Sequence, residues 1–215
     1  MLEEFKRIGK YLFQEGLVDS HGGNMSVRQG DRIFITRRDA MLGDLKEGDM
    51  IEVGAEPGGD DGPASREIVT HRAIYRATKA EAIVHAHGAN AIAVSITDNK
   101  IIPQDAEGLY LFKSAAIVRV HQAIGSDEAA RLLPTFLQGS SVIAVVKGHG
   151  SFAIGKNLEE AYKYTSSLEN SCRVLVAVRS SGSQRPPVHR EKPPERRTGI
   201  PPGIGVMDRS RYHKR

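Results

Sequence analysis

Two short apolar runs, each ending in histidine and glycine, constrain the fold of this chain more than any other feature. Residues 83–88 read IVHAHG, and residues 145–150 read VVKGHG. Both runs contain β-branched residues, which favour strands. Side chains alternate between the two faces of a strand, so His85 and His87 are predicted to point to the same side. The second run would deliver His149 from the end of another strand.

Three imidazoles that converge at strand ends are typical of an open metal site. Such a site has three protein ligands and leaves the remaining coordination positions to water or substrate. The alternative for each histidine is a buried core residue whose hydrogen bonds are satisfied within the fold. The metal site is therefore a hypothesis that the other motifs must support.

The composition is that of one globular domain. The chain has 215 residues, 40% of them hydrophobic, and a single cysteine. One cysteine excludes an internal disulfide framework and suits a reducing cytoplasm, so a cytoplasmic location is expected. No apolar run approaches the ~18 residues of a membrane span, and the N-terminus begins an amphipathic helix rather than a signal peptide. No membrane association is expected.

The positive net charge of the chain, +4, is carried by its C-terminal segment. Residues 183–215 hold nine of the 30 Lys and Arg and three of the 26 acidic residues, which leaves 21 basic and 23 acidic residues elsewhere. A body with a net charge of −2 has no electrostatic reason to bind nucleic acid.

Six of the ten prolines also follow residue 180. We therefore predict a domain at 1–180 and a Pro/Arg-rich tail at 181–215, either flexible or docked on another surface.

Hydrophobic periodicity predicts helices that alternate with short strands. Such an alternation indicates an α/β or α+β protein, in which one sheet is covered by helices. Beside the strand that carries His85 and His87, strands are predicted over 25–28, 32–36, 49–53, 115–120, 141–146 and 151–154. Helices are predicted over 2–15, 65–77 and 88–95, from Ser126, and over 157–178.

Ser65 and Glu67 stand at the predicted start of the second helix. Ser65 is a favourable N-cap residue, which places Glu67 in the first helical turn, where the helix dipole stabilises its negative charge. A carboxylate held beside a metal there could bind the ion or transfer a proton. The alternative is that Glu67 interacts only with the helix dipole.

The motifs, taken in this order, resemble the class II aldolase/adducin family, and lie closest to its L-fuculose-1-phosphate aldolase members. The resemblance covers about residues 1–178. It rests on GNMSVR at 23–28, Ile35 and Thr36, SRE at 65–67 with His71, HAH at 85–87, GHG at 148–150, and the LEEA and LE motifs at 158–161 and 168–169.

The resemblance implies a three-layer α/β/α domain around a central, mostly antiparallel sheet, assembled as a cyclic homotetramer with sites at subunit interfaces. It implies that His85, His87 and His149 bind a divalent metal, most often Zn²⁺, with Mn²⁺, Fe²⁺ or Co²⁺ as alternatives. Glu67 matches the aldolases' catalytic acid/base and is a possible further metal ligand. The family's epimerases usually carry Asp at that position, and its adducin-like structural members lack the complete histidine set.

The relatives hold the substrate phosphate with a Gly-Asn loop, a Thr-rich turn and a pair of serines. This chain departs from that pattern with an Arg-Arg-Asp sequence after Thr36 and an arginine in place of the second serine. Guanidinium groups bind phosphate or carboxylate bidentately, so an anion site would survive with different chemistry. Alternatively, the arginines form salt bridges between subunits and phosphate specificity is lost. The predicted phosphate-binding residues are Gly23, Asn24, Thr36, Arg37, Ser65 and Arg66.

Two tyrosines resemble further catalytic positions of the family. Relatives use a tyrosine of a neighbouring subunit at the aldehyde oxygen, to which Tyr110 corresponds loosely, and another on the C-terminal tail, for which Tyr212 is the candidate. The alternative for both is an exposed or packing tyrosine.

Taken together, the residues and the resemblance predict a metal-dependent aldolase, an aldehyde-lyase. It would cleave or form a small sugar phosphate, with a fuculose-1-phosphate-like ketose phosphate giving dihydroxyacetone phosphate and an aldehyde through a metal-stabilised enediolate. Glu67 would move the proton on carbon, and a Schiff base on Lys147 is the rival route. Alternative functions are a decarboxylase, 4-epimerase or dehydratase on the same scaffold, or a non-catalytic adducin-like interaction module.

Overall fold

The computed structural model describes residues 1–182, in which strands alternate with helices as the periodicity predicts. The strands are β1 (Asn24–Gln29), β2 (Arg32–Thr36), β3 (Met50–Gly54), β4 (Ala82–Ala86), β5 (Lys100–Ile101), β6 (Ala115–Val118), β7 (Ile143–Val146) and β8 (Gly150–Gly155). The α-helices are α1 (Leu2–Gln14), α2 (Ile68–Ala77), α3 (Ala89–Thr97), α4 (Ala106–Leu111), α5 (Asp127–Leu132) and α6 (Leu158–Ser180).

All eight strands of the described residues join one sheet, in the order β3-β2-β1-β4-β8-β7-β6-β5. Neighbouring strands are antiparallel except β6 and β7, which are parallel. The prediction of an α/β fold with a mostly antiparallel sheet is confirmed, and the single parallel pair makes the sheet mixed. The connection between β6 and β7 contains α5, as a parallel pair requires a crossover.

The central strand β4 is buried on both faces, so helices cover the sheet on both sides. Ala82 and Val84 pack in the hydrophobic cluster that contains residues of α1, α3 and α6. Ile83 packs in the cluster on the other face, with residues of α2 and of the 3₁₀ turn Leu133–Phe136. These two clusters are the two cores of a three-layer α/β/α arrangement. The period of two along β4 places His85 on the same face as Ile83.

Side-chain caps begin two of the helices as predicted. Ser126 accepts a hydrogen bond from the backbone N–H of Ala129 at the start of α5, and Asn157 accepts one from Glu160 at the start of α6. Satisfying such free N–H groups stabilises a helix by about 1 kcal/mol. The helix from Ser126 gives way to the 3₁₀ turn that contains Pro134, because proline cannot continue the α-helical hydrogen bonds.

The N-cap predicted for α2 is wrong by two residues. The helix begins at Ile68, Glu67 occupies the cap position, and Ser65 lies in the preceding turn, where its carbonyl accepts from Ile68 N–H. The Ser65 hydroxyl accepts from Glu67 N–H at 3.3 Å instead of capping the helix. Glu67 therefore precedes the first helical turn.

Residues 183–215 lie outside the described residues, so most of the predicted tail, with Tyr212, is not part of the description. β5 and α4 were not predicted, because two and six residues are too short to show a periodicity. Within the described residues, no helix combines the length and the apolar character required to cross a membrane.

Candidate metal centre

The pairing of β4 with β8 brings the three predicted histidines together. Ala86, at the end of β4, lies opposite Ser151, at the start of β8. His149 is in the tight turn between β7 and β8, where Gly148 adopts φ +70°. Because β4 and β8 are antiparallel, this turn lies beside the end of β4. The ring centroids are 4.7 Å apart for His85 and His87, 4.8 Å for His85 and His149, and 5.1 Å for His87 and His149.

The nitrogen atoms of the three rings converge on a common point. One nitrogen of each ring lies within 4.8 Å of the others, and the cluster contains no carboxylate among the described residues. Nδ1 of His85 lies 2.9 Å from the carbonyl oxygen of Ser151, which can only accept a hydrogen bond, so Nδ1 carries the proton. Nε2 of His85 therefore presents its lone pair, and it lies 3.0 Å from Nε2 of His87.

Burial keeps all three imidazoles in the neutral form that binds metals. It lowers the pKa of His85 well below 6.5, and the neighbouring His87 and His149 lower it further. The pKa of His149 falls to about 4 because of burial and of His87. Burial also lowers the pKa of His87, against an opposing effect of Asp19. No deprotonation is then needed before these rings bind a cation near neutral pH.

These donors fit a divalent metal. Nδ1 of His149 is buried and has no hydrogen-bond partner within residues 1–182. A buried nitrogen without a partner is costly unless another group binds it. Three neutral imidazoles suit Zn²⁺, Fe²⁺, Co²⁺ or Ni²⁺ and do not discriminate strongly among them. The residues His85, His87 and His149 can therefore hold such an ion.

Aromatic and polar side chains on the α2 side of the sheet pack against His85 and hold its ring in place. The ring of Phe152 stacks on it, with centroids 4.1 Å apart and planes 17° from parallel. His71 of α2 packs edge-on against Phe152 and bonds through Nδ1 to the Ser26 hydroxyl at 2.7 Å. That hydroxyl also bonds to the phenol of Tyr75 at 2.7 Å. The stack fixes the orientation of His85 from the α2 side of the sheet.

The glycine-rich turn before β1 closes on the histidines at a distance that only glycine permits. A Cβ at Gly22 would lie 2.7 Å from Nδ1 of His87. A Cβ at Gly23 would lie 2.8 Å from the carbonyl oxygen of His85, and Gly23 also has φ +75°. Both glycines are required by this close approach, and the Asp19 carboxylate secures the turn by accepting from Gly22 N–H at 2.6 Å.

A cavity of about 220 Å³ opens above the three histidines; we call it the histidine cavity. Most of the predicted site residues line it, together with several that were not predicted. The predicted ones are Gly23, Asn24, Arg37, Ser65, Arg66, Glu67, His85, His87 and His149. The additional lining residues are His21, Gly22, Arg38, Asp39 and Ile124. Ile124 comes from the loop before α5, which carries no motif in the sequence.

Three of the residues considered from the sequence do not line this cavity. Thr36 is 1% exposed, and its hydroxyl accepts a hydrogen bond from Met25 N–H at 3.2 Å. It therefore stabilises the start of β1 and is not free to contact a ligand. Tyr110 lies on α4 and is 84% exposed. Lys147 borders a different cavity, with residues 119–121, and no described lysine lines the histidine cavity. The Schiff-base route therefore has no amine in place among the described residues.

Glu67 is buried at the wall of the histidine cavity, with both carboxylate oxygens bonded. Oε1 accepts from Gly125 N–H at 2.8 Å, and Oε2 accepts from the Thr70 hydroxyl at 3.0 Å. Burial raises the pKa of Glu67, and these two hydrogen bonds oppose the rise. The role of Gly125 was not predicted, because it is separated from Glu67 by 58 residues. A carboxylate with a raised pKa is suited to exchange a proton near neutral pH.

The three arginines of the cavity differ in their bonding. Nε of Arg37 donates to Asp49 at 2.8 Å, and its Nη1 donates to the Arg38 carbonyl at 3.1 Å. The guanidinium groups of Arg38 and Arg66 are exposed and have no hydrogen-bond or ion-pair partner among the side chains that the structure describes. Two full positive charges at the cavity are thus left for a ligand.

Comparison with known proteins agrees with this geometry. The model of the family described as Class II Aldolase and Adducin N-terminal domain matches residues 3–176. A protein of Methanocaldococcus jannaschii named L-fuculose phosphate aldolase is 31% identical over 81% of this chain and 94% of its own length. A methylthioribulose-1-phosphate dehydratase of Acidiphilium cryptum is 30% identical over 77% of this chain and 85% of its own length. The crystal structure of L-fuculose-1-phosphate aldolase from Thermus thermophilus superposes with a TM-score of 0.80 at 33% identity, covering 86% of this chain and 96% of that one.

Proposed function

Because this chain belongs to the class II aldolase and adducin family, we propose that it is a metal-dependent aldolase acting on a small sugar phosphate. The substrate class is a ketose 1-phosphate of the fuculose type, which is cleaved to dihydroxyacetone phosphate and an aldehyde or formed from them. The observation that carries the proposal is the meeting of three neutral imidazoles, a buried carboxyl group and two unpaired guanidinium groups in one cavity.

His85, His87 and His149 would hold the divalent cation, and Zn²⁺ is the metal we propose first. A cation bound there supplies positive charge where negative charge develops on the substrate oxygens during carbon–carbon cleavage. Neutral ligands leave that charge undiminished, which is the chemical advantage of imidazoles over carboxylates in this site. The stacked Phe152 excludes water from one face of His85 and keeps its lone pair aimed at the cavity.

Glu67 is the proposed acid/base of the reaction. In the cleavage direction, the carboxyl group delivers a proton to the substrate carbon that loses its bond, and in condensation the carboxylate removes it. The N–H of Gly125 and the hydroxyl of Thr70 fix the plane of the carboxyl group, while burial makes its protonated form accessible. A positioned group of this kind contributes roughly 10²–10⁴ in rate.

The phosphate of the substrate would bind in the histidine cavity beside the metal ligands. There the Gly23–Asn24 turn, Ser65, Arg37 and Arg66 face the same space. Asn24 is 5% exposed and lines the cavity, and its side-chain N–H₂ group would donate to the phosphate, whose oxygens accept. Thr36 would support this part of the cavity through its bond to Met25 rather than by direct contact.

We also propose that the protein is a homotetramer, that its catalytic domain ends at residue 180, and that Tyr110 and Tyr212 act in the reaction. The 84% exposure of Tyr110 leaves its hydroxyl free to enter the site of a neighbouring subunit. Tyr212, on the proposed C-terminal tail, is the second candidate for that role. The cytoplasm is the proposed location, since the single cysteine suits a reducing compartment.

A dehydratase is the second candidate, favoured by the 30% identical relative of that name. A decarboxylase or a 4-epimerase would use the same metal and anion sites, and we rank them lower. A non-catalytic module is ranked last, because a scaffold has no need of three converging neutral imidazoles, one of which has a buried nitrogen without a partner among the described residues.

The test is to assay the purified full-length protein, loaded with Zn²⁺, Co²⁺ or Mn²⁺, for release of dihydroxyacetone phosphate from L-fuculose 1-phosphate. Loss of water from methylthioribulose 1-phosphate and release of carbon dioxide from a 3-oxo acid phosphate are measured in parallel. We expect aldehyde formation that a chelator abolishes and added metal restores. Dehydration faster than cleavage would assign the dehydratase, and inactivity towards every substrate with full metal occupancy would contradict the lyase.

A further inference from the structure

A second and larger cavity, of about 850 Å³, adjoins the histidine cavity; we call it the outer cavity. The two cavities share four lining residues, Arg38, Ser65, Arg66 and Ile124, so they lie side by side. The outer cavity extends from these residues between the start of α2 and the loop at 121–125.

The histidine cavity is smaller than most sites for small molecules. Sites for small molecules usually enclose about 300–1,000 Å³, and the histidine cavity encloses about 220 Å³. This volume suits the reacting carbons and one phosphate. The part of the substrate that leaves as the aldehyde would then extend past Arg66 and Ile124 towards the outer cavity.

The charges around the outer cavity are predominantly positive. The guanidinium groups of Arg38 and Arg66 are unpaired among the described side chains, which do not include that of Asp60. Asp61 is the acidic residue among the described lining side chains, and both its oxygens are held at 2.6 Å by the buried guanidinium group of Arg72. This ion pair cancels the charge of Asp61, so the two arginines dominate.

The start of α2 adds to this positive potential. Ile68 and Val69, the first two residues of the helix, line the outer cavity. Their end of the helix carries the positive pole of the helix dipole. The side chain of His121 lines the same space and offers another hydrogen-bond donor or acceptor.

We propose that the outer cavity is a second anion subsite, which selects substrates with a phosphate or a carboxylate at the end remote from the reacting carbons. Arg38 is its specificity-determining residue, and Arg66 lies between the two anions. The aldehyde product would then be an aldehyde phosphate or an aldehyde acid rather than a neutral hydroxyaldehyde. This inference rests on the proposed function, because it takes the first phosphate to bind in the histidine cavity.

The test measures binding to the metal-loaded full-length protein by calorimetry, with three four-carbon ligands of equal length. Butane-1,4-diol monophosphate has one anion, butane-1,4-diol bisphosphate has two phosphates, and 4-(phosphonooxy)butanoate has a phosphate and a carboxylate. Because hydrogen bonds to charged groups are strong, at least one two-anion ligand should bind about ten- to a hundredfold more tightly than the monophosphate. Which of the two binds better identifies the second anion. Equal affinities for all three ligands would overturn the proposal.

A matched pair of variants separates a specific contact from a general charge effect. Arg38→Gln should remove most of the advantage of the two-anion ligand, and Arg38→Lys should retain part of it. Arg131→Gln makes the same change of charge at an exposed residue of α5 that lines neither cavity, and it should keep the full advantage. An equal loss in Arg38→Gln and Arg131→Gln would also overturn the proposal.

The proposed function can fail separately from this inference. If the protein cleaves ketose phosphates but does not distinguish the ligands, only the second subsite is wrong. If the two-anion ligand binds more tightly and the Arg38 variants behave as expected, the subsite stands even when no aldol cleavage is found. Failure of the monophosphate to bind, together with absence of cleavage, would count against the proposed function.

Discussion

The floor and the rim of the candidate site differ in how their polar groups are bonded. The floor consists of Glu67, His71, His85 and Phe152, which are buried and held by protein groups on several sides. The rim consists of Arg38, Arg66 and Ile124, which are exposed. The floor is therefore prepared before any ligand arrives, whereas the bonding of the rim arginines depends on the ligand.

This difference separates catalytic chemistry from substrate choice. Groups that act in the reaction work best when the fold holds them in one orientation, because no reorganisation is then needed. Groups that choose the substrate gain most when their only good partner is the substrate itself. Substitutions in the floor should consequently change metal binding, turnover or folding, and substitutions in the rim should change affinity.

The most damaging change at the candidate site is to remove a metal ligand. His149→Ala should abolish both the bound metal and turnover, because two imidazoles cannot complete the three-ligand site. Far-UV circular dichroism should stay unchanged, since His149 lies in a turn and is only half-buried. The measurement is metal content by mass spectrometry beside turnover. Full metal occupancy in a His85→Ala/His87→Ala double variant would contradict the assignment of the ligands.

A substitution of the acid/base in the floor should have a smaller effect, because it removes proton transfer and leaves the metal bound. Glu67→Gln should keep the metal and lose roughly 10²–10⁴ in turnover, since an amide cannot exchange a proton. The Gln side chain should remain in place, because the Thr70 hydroxyl can rotate to accept from its amide. The readouts are kcat and metal content measured on the same sample. Near-normal turnover would reduce Glu67 to a structural role.

A substitution in the rim should change the affinity for the substrate and leave the chemical step largely unchanged. Arg66→Gln should raise KM for a ketose phosphate about ten- to a hundredfold and change kcat much less, because it removes a binding contact made in both ground and transition states. Arg37→Gln is the comparison, and its effect should be smaller, since Arg37 already donates to Asp49. A loss of kcat at constant KM in Arg66→Gln would place this residue with the catalytic groups.

The smallest expected effect concerns the stability of the floor without metal. Burial lowers the pKa of His71 from 6.5 to about 3. Between these pH values the unfolded chain binds a proton at His71 and the folded chain does not, so stability falls as the pH falls through this window. The contribution of one such group is about 1.4 kcal/mol per pH unit. In the metal-free protein, His71→Asn should flatten the dependence of the unfolding free energy on pH by about this slope. An unchanged slope would show that His71 is protonated in the fold.

The sequence by itself determined the chemistry of the site. The alternation along residues 83–88 places His85 and His87 on one face because strand geometry has a period of two. The helix caps at Ser126 and Asn157 were also predictable, because capping depends on residues only a few positions apart. The order of the motifs was sufficient to recognise the family, and with it the layered fold.

Only the tertiary structure decided which distant groups meet at these residues. The bond from Gly125 N–H to Glu67 joins residues far apart in sequence, and the loop with Ile124 carries no periodicity. Arg37 and Arg38 are adjacent arginines that sequence cannot distinguish, yet only Arg37 finds Asp49 beside it. Local pattern specifies backbone conformation and side-chain type, because both depend on near neighbours in the chain. The partners of a side chain depend on how the layers pack, which brings together groups that no local pattern connects.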